Sequence, residues 1–192
     1  FTTLASVAAV RAIREASGQE AKIKWVNDIY LNRRKVAGIL TEASFSMESG
    51  LLDYAVLGIG FNAYTPAEGF PEELRSSVGS IFANQVHDGK NRLASSFLKH
   101  FMALYREGAE DPSSYLDEYR ACSLVLGGKI TVFRSGLPAG VPLHASEKSA
   151  EESGGRPALA LSIDDRGSLI VRYDDGSEET LNTGEISIRL RT

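Results

Sequence analysis

Cysteine is almost missing from this sequence. Cys122 stands alone in 192 residues, which excludes an intrachain disulfide and a thiolate metal cluster and suits a reducing, cytoplasmic setting. Histidine is nearly as scarce. His87, His100 and His144 share no ligand spacing, so a structural zinc is not expected. No apolar run approaches the ~20 residues needed to span a bilayer, and no signal-peptide layout opens the chain. Positive charge is not in excess either: 21 Lys and Arg against 25 Asp and Glu leave a net charge of −4, the wrong sign for a general binder of nucleic acid or anionic membrane. Internal repeats and low-complexity tracts are absent too. What remains is the balance of an ordinary globular protein, 43% hydrophobic and 24% charged, long enough for one domain or for one domain plus a small one.

The chain opens on a helical pattern. Leu4, Val7, Ala8 and Ile13 recur at helical spacing over 2–17, Thr2 or Thr3 can cap the start, and Gly18 is placed to end it. A hairpin follows, with strands expected near 22–31 and 35–45. The nearly continuous apolar run 54–62 suits a strand buried on both faces. Residues 63–80 read as a surface loop with a short turn of helix. Helices are expected over 91–107, from Leu93, Phe97, Leu98, Phe101 and Leu104, and over 113–121, where Pro112 can help start the helix. After Gly127-Gly128 the texture changes to five short strands, 129–134, 158–164, 168–173, 178–182 and 186–190, with turn signals at Asp164–Gly167 and Asp174–Gly176. This predicts an α+β chain: a first domain over 1–121, and a small all-β barrel or sandwich over 122–192 with a mobile insertion near 145–156.

The chemistry concentrates in the hairpin. Asn27, Asp28, Arg33, Arg34, Lys35 and Gly38 lie between two apolar runs, where a hairpin made only for packing would keep a bland turn. Strict alternation sets Lys35 on the same face as Ala37 and Ile39, so its ammonium either snorkels outward from the strand end or points at an anionic ligand. Asn27, Asp28 and Gly38 favour the ligand, because they add polar groups and a gap for close backbone approach. Arg33 and Arg34 sit at the tip and are expected to be solvated. Asp28 can pair with a lysine or hold a divalent cation, although one carboxylate does not make a metal site. Trp25 and Cys122 read as core residues.

Gly58-Ile59-Gly60-Phe61-Asn62-Ala63 matches G-x-G-x-x-A formally, but Tyr64-Thr65-Pro66 follows where a dinucleotide fold needs a helix to open. Alternation puts Tyr54, Val56, Gly58, Gly60 and Asn62 on one face. The two glycines serve either close packing in a core strand or a flat ligand laid against them. No nucleophile elbow and no Ser/His/Asp set is present. These residues define the floor of an anion-handling small-molecule site.

Lys24-Trp25-Val26-Asn27-Asp28, Lys35-Val36-Ala37-Gly38-Ile39-Leu40-Thr41-Glu42 and Gly58-Ile59-Gly60-Phe61-Asn62 closely resemble the biotin–protein ligase family, whose pattern runs K-W-P-N-D, K-x-x-G-I-L-x-E and G-I-G-x-N in this order and at similar spacing. Gly167–Arg172 and Gly184–Arg189 resemble that family's small SH3-like C-terminal domain, so the likeness covers nearly the whole chain. Val26 stands where the pattern often has proline, which changes backbone stiffness more than chemistry. The family's G-R-G-R-x-G-R stretch, which closes over biotin and the adenylate, does not occur here. The chain is therefore expected to be the C-terminal part of a ligase, and inactive or severely impaired in isolation.

The resemblance implies two steps. Biotin's carboxylate attacks the α-phosphorus of ATP to give biotinyl-5′-adenylate and pyrophosphate; a lysine of the biotin carboxyl carrier domain then takes the biotinyl group. It implies that Lys35 is catalytic and contacts the biotin carboxylate and the phosphate. Gly38, Gly58 and Gly60 would let backbone approach biotin and the adenylate, and Asn27, Asp28 and Asn62 would lie near the nucleotide and its Mg²⁺. Open sheet edges in such a chain would favour association, here as a homodimer. Two other readings are a lipoate or octanoyl transferase of related fold, and a non-catalytic binding or interaction module.

Overall fold

The computed structural model describes residues 1–111, 113–134, 154–182 and 186–190. Its elements are α1 (Thr2–Ser17), β1 (Lys22–Lys24), β2 (Asp28–Leu31), β3 (Arg34–Phe45), β4 (Leu52–Phe61), a 3₁₀ turn (Glu72–Leu74), α2 (Gly89–Glu110), α3 (Leu116–Ala121), β5 (Lys129–Arg134), β6 (Arg156–Ile163), β7 (Leu169–Tyr173), β8 (Glu178–Leu181) and β9 (Ile186–Leu190). They divide into two compact units, Phe1–Cys122 and Ser123–Thr192.

In the first unit α1 is the hub, touching β1, β2, β3, α2 and α3. Its sequence explains this. Ala5, Ala8, Ala9 and Ala12 are strong helix formers with small side chains, so several elements approach at once, and all four are fully buried with Val7, Val10 and Ile13. Gly18 ends the helix in the left-handed conformation (φ 70°), its N–H donating to Arg14 O. The expected threonine cap does not form. Phe1 occupies the cap position, and Thr2 Oγ1 instead donates to Thr41 Oγ1 at 2.9 Å on β3.

Glu15 clamps α1 to α2. Its carboxylate accepts from Lys99 Nζ at 2.7 Å and Ser96 Oγ at 2.9 Å, and meets His100 Nε2 at 2.7 Å. The bonds from Lys99, then Ser96 and His100, hold its pKa down to about 2 from an ordinary 4.5. Because the folded-state pKa is the lower one, the clamp contributes stability above the unfolded value and loses it as pH falls toward 2. In thermal melts the unmodified protein should therefore lose Tm more steeply than Glu15→Gln between pH 4.5 and 2, and the two curves should converge at the acid end. The pair is exposed, so high salt should shrink the difference.

The sheet of this unit has the order β1-β2-β3-β4, every pair antiparallel, with one parallel bridge from Lys35 to Val78 in the following loop. Two expectations need correction. The predicted strand 22–31 is two strands, because residues 25–27 turn the chain so that Lys24 pairs with Asp28. The run 54–62 is not buried on both faces: β4 is the last strand of the sheet, and Tyr54 and Val56 are 62% and 54% exposed. An apolar run alone does not say which of a strand's faces is covered. The Asn32–Arg33 turn joining β2 to β3 has positive φ at both residues (49° and 64°), the geometry of a two-residue hairpin. Arg33 and Arg34 are exposed there.

The second unit is a five-stranded antiparallel sheet of order β8-β7-β6-β5-β9. Alternation along its strands buries Ile130, Val132, Ala158, Ala160, Val171 and Leu181. Asp164 Oδ1 accepts from Arg166 N and Ser168 N, and Asp175 Oδ1 accepts from Ser177 N, which makes the two predicted Asp turns. Pro112, residues 145–153 of the expected insertion, and Gly184-Glu185 lie outside the described residues. No helix among the described residues is long and apolar enough to cross a membrane.

Candidate active site on the glycine strand

Strand register assembles the site. Asp28 on β2 stands opposite Gly38 on β3, which stands opposite Gly60 on β4, and Lys24 on β1 faces Asp28 from the other side. Cross-strand partners share a face, so this row places one carboxylate beside two positions without side chains. Gly58 is paired with Leu40 in the next row on the same face. A Cβ on Gly60 would meet nothing within 4 Å, and one on Gly58 would meet only Leu40 O at 4.0 Å. The glycines therefore do not serve tight packing within this chain. They leave a bare strip of backbone.

Lys35 reaches this face by an irregularity. The β2–β3 register slips by one residue between Ile29 and Tyr30, so Ile29 pairs with Ala37 but Tyr30 pairs with Lys35. Ala37 and Ile39 turn inward and are buried, whereas the Lys35 ammonium forms an ion pair with Asp28 Oδ1. Strict alternation thus misassigned its neighbours. Gly38 makes room for the reach: a Cβ there would stand 3.3 Å from both Lys35 Cε and Nζ and 3.7 Å from Asp28 Oδ1. The Lys35 side chain is 34% exposed and that of Asp28 17%, so the cation is half-sheltered yet open to a ligand. Its backbone is pinned from the loop, with Lys35 N donating to Ser77 O at 2.8 Å and Gly79 N donating to Lys35 O at 2.9 Å. Gly79 permits that approach, since a Cβ would lie 3.0 Å from Arg34 Cβ. Gly79→Val should lower Tm measurably by prising the loop from β3.

Asn27 is partly committed to structure. Its Nδ2 donates to Ile39 O at 2.7 Å, and Ile39 N donates to Asn27 O at 3.0 Å, stitching the 25–27 turn to β3. Asn62 ends the glycine strand with N donating to Val36 O at 2.8 Å and its side-chain amide 3.5 Å from Lys35 O. It opens onto a cleft of about 650 Å³ walled by Phe61, Tyr64, Phe70 and Leu93, with Lys90 and Gln85 among its polar groups. No helix follows Gly60. Residues 62–71 are irregular, which removes the dinucleotide-binding alternative.

For Mg²⁺, the described residues supply no cluster of three or more His, Cys, Asp or Glu side chains, and Asp28 is paired with Lys35. A resident metal cage does not fit this site. Trp25 and Cys122 are buried, and burial pushes the Cys122 thiol up, away from reactivity. Sequence reasoning missed three contributors: Lys24 in the Asp28 row, and Ser6 and Tyr119 beneath the turn. Ser6 carried a signal, a polar residue inside the apolar stripe of α1. Tyr119 carried none, lying 93 residues from its partner Val26.

A half-sheltered cation thus stands beside a strip of bare backbone on a helix-backed antiparallel sheet. The biotin/lipoate A/B protein ligase family matches residues 1–62, and the biotin protein ligase C-terminal domain matches residues 152–189. The chain is 30% identical over 176 residues to the biotin–[acetyl-CoA-carboxylase] ligase of Mycobacterium tuberculosis, spanning 91% of this chain and 58% of that protein. It is 41% identical over 81 residues to the bifunctional ligase/repressor BirA of Bacillus subtilis, 42% of this chain and 24% of that protein. The chain thus spans less than two thirds of the length of either relative. The apo biotin protein ligase of Aquifex aeolicus shares the fold, with a TM-score of 0.76 over 98% of this chain and 74% of that one at 18% identity. The same ligase in complex with biotin and ATP gives 0.73 over 98% and 70%, at 19% identity. The two matched segments and these relatives are all similar to biotin protein ligases.

Proposed function

We propose that this chain carries the core of a biotin-activating site and that the protein joins biotin to a carrier domain through biotinyl-5′-adenylate. The observation that supports this best is the Lys35–Asp28 pair poised over Gly38 and beside Gly60. A biotin carboxylate oxygen attacks the α-phosphorus of ATP, the new P–O bond forms, and pyrophosphate leaves. Two anions must meet in this step, and charge builds on the phosphate. Lys35 supplies a fixed cation there, exchanging its partner Asp28 for the ligand. Gly38, Gly58 and Gly60 give biotin a flat floor, and Asn27 and Asn62 bond the nucleotide. Any Mg²⁺ would arrive on the triphosphate, the usual way that ion is bound. In the second step a carrier-domain lysine attacks the acyl carbon, AMP leaves, and the attacking nitrogen loses a proton, for which Asp28, released from Lys35, is a candidate acceptor. The family's name also covers lipoate, so the test is ATP–pyrophosphate exchange by the full-length protein with each acid. Exchange dependent on biotin is expected; exchange dependent on lipoate, or on neither, contradicts the proposal.

A further inference from the structure

The turn that presents Asp28 is held from below by two hydroxyls. Tyr119, fully buried on α3, donates from its OH to Val26 O at 3.0 Å. Ser6, fully buried on α1, has its Oγ 3.3 Å from the same oxygen and 2.9 Å from Thr2 O. A serine hydroxyl has one proton, and the shorter contact is the one within its own helix, so Tyr119 is the principal donor to Val26. Burial pushes the Tyr119 phenol well above its ordinary range, which keeps it a donor at every physiological pH.

The consequence runs forward along the chain. Val26 O is the carbonyl immediately before Asn27, and the Asn27 backbone and side chain are stitched to Ile39. The next residue is Asp28, which pairs with Lys35. The turn is thus fixed on one side by α1 and α3 and on the other by β3. Tyr119 itself sits on a helix tied down independently: Glu118 accepts from Arg11 Nε at 2.9 Å and Nη2 at 2.5 Å, and Cys122 O accepts from Ile23 N at 2.8 Å. Fixing a carboxylate to a few tenths of an ångström requires support of this kind beneath it.

We infer that Tyr119, with Ser6 in support, is a positioning residue for the Asp28–Lys35 pair, acting through the Val26 carbonyl. This rests on the proposed function for its kinetic consequence but not for its structural one, and the test separates the two. Tyr119→Phe deletes one oxygen and keeps the ring that fills the core. Removing one buried hydrogen bond should slow adenylate formation about tenfold, through kcat more than through KM for biotin. In an Asp28→Asn background the same substitution should change the rate less than twofold, because the group it positions is gone; an equal factor in both backgrounds would mean general destabilisation and overturn the inference. Amide hydrogen exchange gives a reading without catalysis. Ile39 N–H, bonded to Asn27 O, should exchange about tenfold faster in Tyr119→Phe while amides of β6 and β7 keep their protection. Unchanged exchange at Ile39 overturns the clamp. Faster exchange at Ile39 in a protein without biotin-dependent chemistry leaves the clamp standing and removes the proposed function. Ser6→Ala serves as the second variant should Tyr119→Phe fold poorly, with the same signs and smaller effects.

Discussion

Lys35→Ala should lower biotin-dependent pyrophosphate exchange by about 10²–10³-fold, the usual consequence of deleting one preorganised charge at a transition state. The fold should survive. The Lys35–Asp28 pair is one-third exposed on the lysine side, and an ion pair so placed contributes no more than about 1 kcal/mol to stability. The backbone of Lys35 is meanwhile fixed by Ser77, Gly79 and the strand ladder, none of which needs its side chain. Melting temperature and exchange rate should therefore come apart. A variant that loses Tm and rate together would place Lys35 in the structural frame; one that keeps its rate would remove it from the chemistry. Lys35→Arg should recover only part of the rate, because Gly38 leaves a gap fitted to a narrow ammonium, with Cε and Nζ both 3.3 Å from where a Cβ would stand.

Gly60→Val should abolish ligand binding and leave the fold at least as stable. A Cβ at this position meets nothing within 4 Å, so the folded chain has room for the branch point of the new side chain. Valine is a better strand residue than glycine, and the gain should be about 0.5–1 kcal/mol. If biotin or the adenylate lies on this strip, two added methyl groups occupy the ligand's own volume. A displacement of about 1 Å can cost 10²-fold in such a site, and calorimetric titration with a non-hydrolysable biotinyl-5′-adenylate analogue should show at least that loss. Gly58→Val should behave in the same direction. Unaltered affinity in both variants would mean that the glycines are bare for another reason. Gly38→Ala is the graded control, since its methyl group presses on the end of the Lys35 side chain, which can give by a few tenths of an ångström.

Much of this was legible in the residues. The α1 pattern, the glycine at its end, the change to short strands after Gly127-Gly128 and the hairpin's load of polar groups all follow from local rules. Where prediction failed, the cause was non-local. The slip at Ile29/Tyr30 inverts the face of Lys35, and nothing in Lys35-Val36-Ala37 marks it. The turn at 25–27 splits one apolar run into two strands because Val26 O and Asn27 find partners on α1, α3 and β3, up to 93 residues away. Thr2 gave up its expected cap for Thr41, again a tertiary partner. The exposure of β4 was illegible for a simpler reason: hydrophobicity records what a face could bury, not what lies against it.

The proposed function puts an anion at Lys35 and its flat body on Gly60. A crystal structure of the full-length protein with the non-hydrolysable biotinyl-5′-adenylate analogue tests it most directly. The Lys35 ammonium should lie within hydrogen-bonding distance of the ligand's phosphate position, its contact with Asp28 lengthened, and the biotin body should rest against Gly38, Gly58 and Gly60. A ligand seated elsewhere, with Lys35 still held by Asp28 and the glycine strip bare, would contradict it.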